Sequence, residues 1–364
     1  MPRDTRLYHR GIVDFELPES LWKAVARYGG AGPFPPTDTA GADRFVRAAA
    51  EERLFPLLCA REAPYPEIAT ALERARAWRH AFSRRAAALD GAVLRVGEML
   101  KDEPFLLLKG SDYRFRLYPE TWLRPMQDVD VLVPAGSVDA VTEKLEALGL
   151  PRTFPAGAVG RLASHHERIF RIGDVTLEVH QSFIQQVRYR IDYEGVWARR
   201  ARLSAGPLAA ERLGDADALV YHAISFAIDE FAVTLIRFLD FWLLLRRSPE
   251  VMAEAVERAR AWRAERALYG ALQQTSRVFP EFDTEPLRRA RERLLPPPSR
   301  WFLDRAVLPR AEERLSSKLS RARQLWRKFW LLPGFPRRAA FFLYHAYALA
   351  QGSRLARKAG RVPT

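Results

Sequence analysis

Asp128 and Asp130 stand two residues apart in Met126-Gln127-Asp128-Val129-Asp130-Val131-Leu132-Val133. A valine-rich alternation of this kind reads as a strand, and alternate residues of a strand share a face. Both carboxylates therefore point one way, with Val129, Val131 and Val133 on the other side. Two carboxylates together on an apolar strand are costly without a cation. Mg²⁺ or Mn²⁺ is the natural one, because Mg²⁺ is held by one or two carboxylates plus substrate phosphates. Upstream, Leu106-Leu107-Leu108-Lys109-Gly110-Ser111 reads as a strand entering a turn and a short helix. Gly110 allows close backbone approach there, and Gly110 and Ser111 offer N–H groups and a hydroxyl to a phosphate at a helix N-terminus. Downstream, Thr176-Leu177-Glu178-Val179-His180 puts Thr176, Glu178 and His180 on one face. Glu178 is then a candidate third carboxylate, close to the first two if the strands pair. Three carboxylates around two ions suit phosphoryl transfer from a nucleoside triphosphate, one ion activating the attacking oxygen and the other stabilising pyrophosphate.

Each of these residues also has a plainer reading. Lys109 is a phosphate counter-charge or a solvated strand-end lysine. Arg124 clamps a triphosphate or acceptor phosphate, or pairs with Glu120 in a loop. Glu178 is a metal ligand or the partner of an arginine. His180 orients the metal shell or touches the acceptor, or is a satisfied, partly buried histidine, the last being the favoured reading. Neighbours on a strand face apart, so His165-His166 reads as surface loop rather than a metal pair. His222 and Asp240 fall on helices eighteen residues apart, and a helix-to-helix hydrogen bond is the favoured reading. Cys59 lies on an apolar helix and reads as core.

The elements that must position these groups fall into an α+β layout. Apolar residues recur at helical spacing over Ala40 to Leu58 and Ile68 to Leu100. Short β-rich runs follow at Phe105–Leu108, Val129–Val133, Arg168–Ile172 and Val175–Val179, with Val138 to Leu148 helical between them. Gly173-Asp174 marks a hairpin. Helical patterning returns over Asp215 to Phe226, Val233 to Leu245, Val251 to Thr275 and Pro286 to Leu294, with a helix start at Ser248-Pro249-Glu250. The expected divisions are a helical segment 1–100, a mixed α/β core 101–205, a helical domain 206–295 and a basic aromatic tail 296–364. The core should hold three to five antiparallel or mixed strands and two helices, with the cleft between its sheet and the C-terminal helices.

The phrase Leu107-Leu108-Lys109-Gly110-Ser111…Leu117-Tyr118-Pro119…Leu123-Arg124-Pro125-Met126-Gln127-Asp128-Val129-Asp130 resembles the DNA polymerase β-like nucleotidyltransferase superfamily. More narrowly, it is similar to a bacterial branch labelled uncharacterised nucleotidyltransferase. Arg53-Leu54-Phe55-Pro56-Leu57-Leu58 resembles that branch's N-terminal helix, and Leu219-Val220-Tyr221-His222 with Ile236-Arg237-Phe238-Leu239-Asp240 its C-terminal half. About residues 40 to 275 are covered, and the tail is not. The resemblance implies metal at Asp128, Asp130 and Glu178, and phosphate contacts at Gly110 and Ser111.

The chain has 364 residues, a net charge of +14 and one cysteine. A lone cysteine excludes an internal disulfide framework and a cysteine-rich metal site, and fits a cytoplasmic protein. No signal peptide or membrane-spanning run is visible. The tail holds 15 Lys/Arg against 3 acids and ten aromatic residues. It is either a binder of nucleic acid, anionic membrane or an acidic partner, or a solvated helical face with aromatics packed inward. The leading expectation is transfer of a nucleoside monophosphate from an NTP to a small molecule, a peptide or RNA, with small molecule or peptide ahead of RNA. A glycosyltransferase using Asp128-Val129-Asp130 as its metal motif, and a non-catalytic anion-binding adaptor, are the alternatives.

Overall fold

The computed structural model describes residues 17–28, 30–60, 65–153, 167–184, 188–203, 210–309 and 321–332, with 334, 338, 339 and 343. His165 and His166 lie outside the described residues.

The N-terminal part is helical: α1 (Leu21–Tyr28), α2 (Thr39–Glu51), α3 (Phe55–Ala60), α4 (Pro66–Arg74) and α5 (Arg76–Met99). Asp38 caps α2 by accepting from the Gly41 N–H. The helical runs expected over Ala40–Leu58 and Ile68–Leu100 are each broken once. At the first break, Arg53 N donates to Ala50 O and Leu54 N to Ala49 O, at 3.0 and 2.7 Å. That is a Schellman closure, and its left-handed residue is Arg53, with φ 62°. At the second, Ala75 ends α4 and α5 begins directly after it.

The mixed core follows: β1 (Leu106–Leu107), α6 (Lys109–Arg116), β2 (Asp128–Leu132), α7 (Val138–Ala147), β3 (Arg152–Thr153), β4 (Glu167–Ile172) and β5 (Val175–His180). Helix α8 (Tyr193–Ala198) and strands β6 (Ala201–Arg202) and β7 (Glu211–Arg212) complete it. One seven-stranded mixed sheet results, in the order β3-β4-β5-β2-β1-β7-β6. This is more than the three to five strands expected. The additions β6 and β7 have two residues each, too few to show an alternation, and β7 joins parallel to β1. β4 and β5 form the expected hairpin, turned by Gly173 at φ 57°.

The alternation of β2 sorts its side chains between two apolar layers. Val129, Val131 and Val133 pack with Leu107, Leu177 and Val179 against Val93 and Val96 of α5 and Val141 and Leu145 of α7. Asp128, Asp130 and Leu132 face the opposite way, and Leu132 joins the apolar cluster of the C-terminal helices. A slip of one residue would drive both acids into the valine layer, so the register is strongly fixed.

The helical remainder comprises α9 (Asp215–Ile228), α10 (Leu235–Arg247), α11 (Met252–Ala261), α12 (Glu265–Val278), α13 (Glu285–Leu294), α14 (Pro297–Phe302) and α15 (Arg321–Leu331). The helix expected over Val251–Thr275 is broken between α11 and α12, where Arg263 takes φ 56°. Described parts of the basic tail fold back on this layer. Arg266 donates to Trp330 O at 2.7 Å, Trp326 to Ala306 O at 3.0 Å, and Lys328 pairs with Glu230 at 2.8 Å. Among the described residues, no helix is long and apolar enough to cross a membrane.

Candidate metal centre and nucleotide cleft

Strands β2 and β5 lie side by side and parallel, which sets Asp128 opposite Thr176, Asp130 opposite Glu178 and Leu132 opposite His180. The three acidic positions singled out in the sequence thus share one face of two adjacent strands. Asp130 is 5 % exposed, and its backbone is held from both directions. Its N–H donates to Ser111 Oγ and its carbonyl accepts from Leu108 N, both at 3.0 Å. Ser111 is itself buried, so its hydroxyl anchors β2 from behind the carboxylates.

The chain turns from β1 into α6 at Lys109, not at the glycine. Lys109 has φ 46°, a left-handed conformation uncommon for a side-chain-bearing residue. It brings Nζ to 3.4 Å from Asp130 Oδ1 and 5.8 Å from the Tyr221 ring centroid. Gly110 has a different task. A Cβ there would stand 3.4 Å from Met126 Cβ and 3.5 Å from Arg124 Nη1, so its bareness lets the segment before β2 approach α6.

His180 Nε2 lies 2.9 Å from Asp130 Oδ1 and 3.4 Å from Glu178 Oε2, while Nδ1 lies 3.7 Å from Glu167 Oε2. Burial alone would push the imidazole pKa down, but the hydrogen bonds to Asp130 and Glu178 lift it to about 9. Burial raises the Asp130 carboxyl, yet Lys109 and His180 overcome this and hold it well below the usual range. Asp128 behaves oppositely. Burial first, then the charges of Asp130 and Glu178, push it up to about 6. Lys109 is held above the ordinary lysine range because Asp130, Tyr221 and Glu178 outweigh its burial.

These groups line a cleft of about 570 Å³. Its floor is Lys109, Gly110, Asp128, Asp130, Glu178 and His180, and its far wall is Tyr221, Ser225, Asp229 and Arg237 around α9 and α10. The cleft therefore lies between the sheet and the C-terminal helices. Arg53, Glu167, Phe183 and Arg188 also border it. The sequence reading had given none of these four a role in the site. Arg53 and Tyr221 do lie inside the phrases that carry the family resemblance.

Arg124 borders the same cleft, but its guanidinium is engaged. Nε lies 2.9 and 3.0 Å from the Asp240 oxygens, Nη2 lies 2.6 Å from Oδ2, and Tyr118 OH donates to Oδ1 at 2.8 Å. Its ion-pair partner is thus Asp240, not Glu120. His222 does not bond to Asp240 either. Its Nδ1 meets Tyr113 OH at 3.2 Å and its Nε2 meets Arg237 O at 2.9 Å.

Asp130, Glu178 and His180 each bring one ligand atom within 4.8 Å of the others. Carboxylate oxygens suit Mg²⁺ or Mn²⁺, and an imidazole nitrogen is also a metal donor. Without a cation, the imidazolium of His180 balances the carboxylates; as a metal donor it would first give up that proton. The donor set fits a divalent cation, with Asp128 within the field of the same cluster. His180, expected behind the ligands, lies close enough to Asp130 and Glu178 to be a candidate donor itself.

The family described as uncharacterised nucleotidyltransferase matches residues 38–280, from just before α2 to just beyond α12. The match covers about two thirds of the chain, and the chain belongs to this family. It is an enzyme of the nucleotidyltransferase class, which sets aside the adaptor and glycosyltransferase readings. No curated protein matches the chain.

Proposed function

We propose that this enzyme moves a nucleoside monophosphate from an NTP to an acceptor hydroxyl or phosphate, releasing pyrophosphate, with Mg²⁺ or Mn²⁺. The observation that carries this reading is the pairing of β2 with β5, which sets Asp130 against Glu178 and His180 in the floor of a cleft. Asp128, Asp130 and Glu178 would hold the metal, with His180 beside them. A divalent cation bound there supplies charge neutralisation for the phosphates and polarises the phosphorus under attack.

The chain's own residues do the rest. The acceptor oxygen forms its bond to the α-phosphorus as the bond to the β-phosphate oxygen breaks, and pyrophosphate carries that electron pair away. Glu178, facing the cleft, draws off the proton of an acceptor hydroxyl. Lys109 offsets negative charge beside Asp130, and the backbone at Gly110 seats the triphosphate close to α6. Ser111 acts from behind by fixing the Asp130 main chain. Positioning and charge neutralisation are the protein's share of such a reaction.

A small molecule or peptide is favoured over RNA as acceptor. The cleft is bounded on both sides by the chain's own layers. The described tail residues Arg338 and Lys328 are engaged internally, Arg338 over the Trp330 ring at 4.7 Å and Lys328 on Glu230. The setting in which these partners meet is proposed to be the cytoplasm. The test is metal-dependent incorporation from each of four α-labelled NTPs into a small-molecule pool, protein extract and total RNA. Label entering one pool with wild type, and lost with Asp128→Ala, is the expected result. Label entering no pool, together with no NTP binding by folded protein, overturns the reading.

A further inference from the structure

The Arg53 guanidinium borders the cleft without a side-chain hydrogen bond or ion pair among the described residues, although other basic groups there are engaged. Arg124 is bound to Asp240, Arg237 to Asp229 at 2.6 Å, and Lys109 to Asp130. We propose that Arg53 is the clamp for the polyphosphate of the NTP, lent to the cleft by the N-terminal helices. This deepens the nucleotidyl-transfer reading and rests on it.

The backbone is built to hold this side chain in place. Arg53 occupies the left-handed position of the α2 closure, where glycine is the favoured residue. An arginine kept there against local preference points to a use for its side chain. The neighbouring residues are locked. Glu52 is buried, its Oε2 accepts from Leu235 N at 2.8 Å, and its carbonyl accepts from Ile236 N at 3.3 Å. Leu54 and Phe55 are also buried. The turn is therefore pinned to the start of α10, which forms part of the cleft's far wall.

Electrostatics gives the ligand its sign. Burial, then Arg124 and Arg237, lowers the Arg53 pKa, while Asp128 raises it. A guanidinium among other guanidinia, beside a carboxylate that would hold the metal, is a seat for an anion that bridges the two. A polyphosphate is such an anion. It shares the metal with Asp128 and Asp130, and its oxygens match a guanidinium fork in paired hydrogen bonds. The match to the family begins at residue 38, so Arg53 lies inside it and not in an appended segment.

The experiment compares wild type with Arg53→Gly and Arg53→Lys. Glycine is the residue the backbone favours there, so that variant should fold with an unreduced Tm. Three probes are titrated: Mn²⁺ alone, inorganic tripolyphosphate with Mg²⁺, and an NTP with Mg²⁺. Mn²⁺ binding should be unchanged, tripolyphosphate and NTP should bind about tenfold or more weakly to Arg53→Gly, and Arg53→Lys should recover part of the loss. Equal NTP binding by wild type and Arg53→Gly overturns the clamp. So does unchanged NTP binding with a raised KM for the acceptor, which would make Arg53 part of the acceptor seat. Wild type that binds neither Mn²⁺ nor NTP defeats the nucleotidyl-transfer reading itself, a result distinct from a variant that matches a binding-competent wild type.

Discussion

Arg124 and Asp240, 116 residues apart in the chain, meet in a buried ion pair that joins the mixed core to the helical layer. Tyr118 donates to the same carboxylate, so one aspartate on α10 gathers both residues of the loop before β2. Burial opposes the charge on Arg124, but Asp240 more than offsets it and raises its pKa further. Removing one partner of such a pair strands the other charge. Asp240→Ala should lower unfolding stability by about 3–5 kcal/mol. Arg124→Met with Asp240→Leu should recover most of that loss, because the unpaired charge is gone. Denaturant unfolding of Arg124→Met, Asp240→Leu and the double variant checks this. An additive double variant would show that the pair is not the joint described.

Asp128 and Asp130 should both be needed for turnover, for different structural reasons. Asp130 is buried under Lys109 and His180, whereas Asp128 is less buried and lies at the start of β2. Either alanine variant should cut the metal-dependent rate by on the order of 10²–10³-fold or more, since groups that stabilise transition-state charge carry losses of that size. The drop should appear in kcat with the fold retained by circular dichroism. Retention of full metal-dependent turnover by Asp128→Ala would remove that residue from the site.

The acidic face was legible because a strand alternates with period two. Asp128, Val129, Asp130 and Val131 declare in four residues which side is core, and Thr176, Glu178 and His180 repeat the message. That the two strands are neighbours and parallel was not legible, since pairing across 48 residues depends on the whole sheet. The Arg124–Asp240 joint escaped for the same reason. Left-handed residues escaped differently. Sequence reasoning assigns such turns to glycine, and here Lys109 and Arg53 carry them. Their preference for other conformations is overridden by the packing on either side, so no local signal marks the positions. The break at Arg263 inside an otherwise helical pattern is a third case.

Ser111→Ala separates two roles for that residue. Its Oγ accepts from Asp130 N at 3.0 Å, so alanine leaves a buried N–H unmatched, at a cost of about 1–3 kcal/mol. Loss of the anchor should let β2 shift beneath the carboxylates and reduce kcat, while the KM for the NTP changes little. A raised KM with unchanged kcat and stability would place the hydroxyl on a phosphate instead.

His222 gives the fold a defined response to acid. It is 2 % exposed, and burial, then the Arg237 charge, holds its pKa well below the usual histidine value. Folded protein therefore keeps the ring neutral where unfolded chain takes up a proton, near pH 6.5. The unfolded state binds more protons below that pH, so this contribution to stability is present above it and is lost as pH falls. The slope approaches about 1.4 kcal/mol per pH unit for one proton. His222→Phe removes the titration while keeping an aromatic ring beside Phe226 and Phe241. It is less stable than wild type at pH 8 because Tyr113 OH and Arg237 O lose their partner. The gap should narrow as pH falls from 6.5 to 5, measured by urea unfolding at each pH. A gap that stays constant across that range would mean that the folded protein protonates His222 as readily as the unfolded chain, and the ring would then have to be open to water.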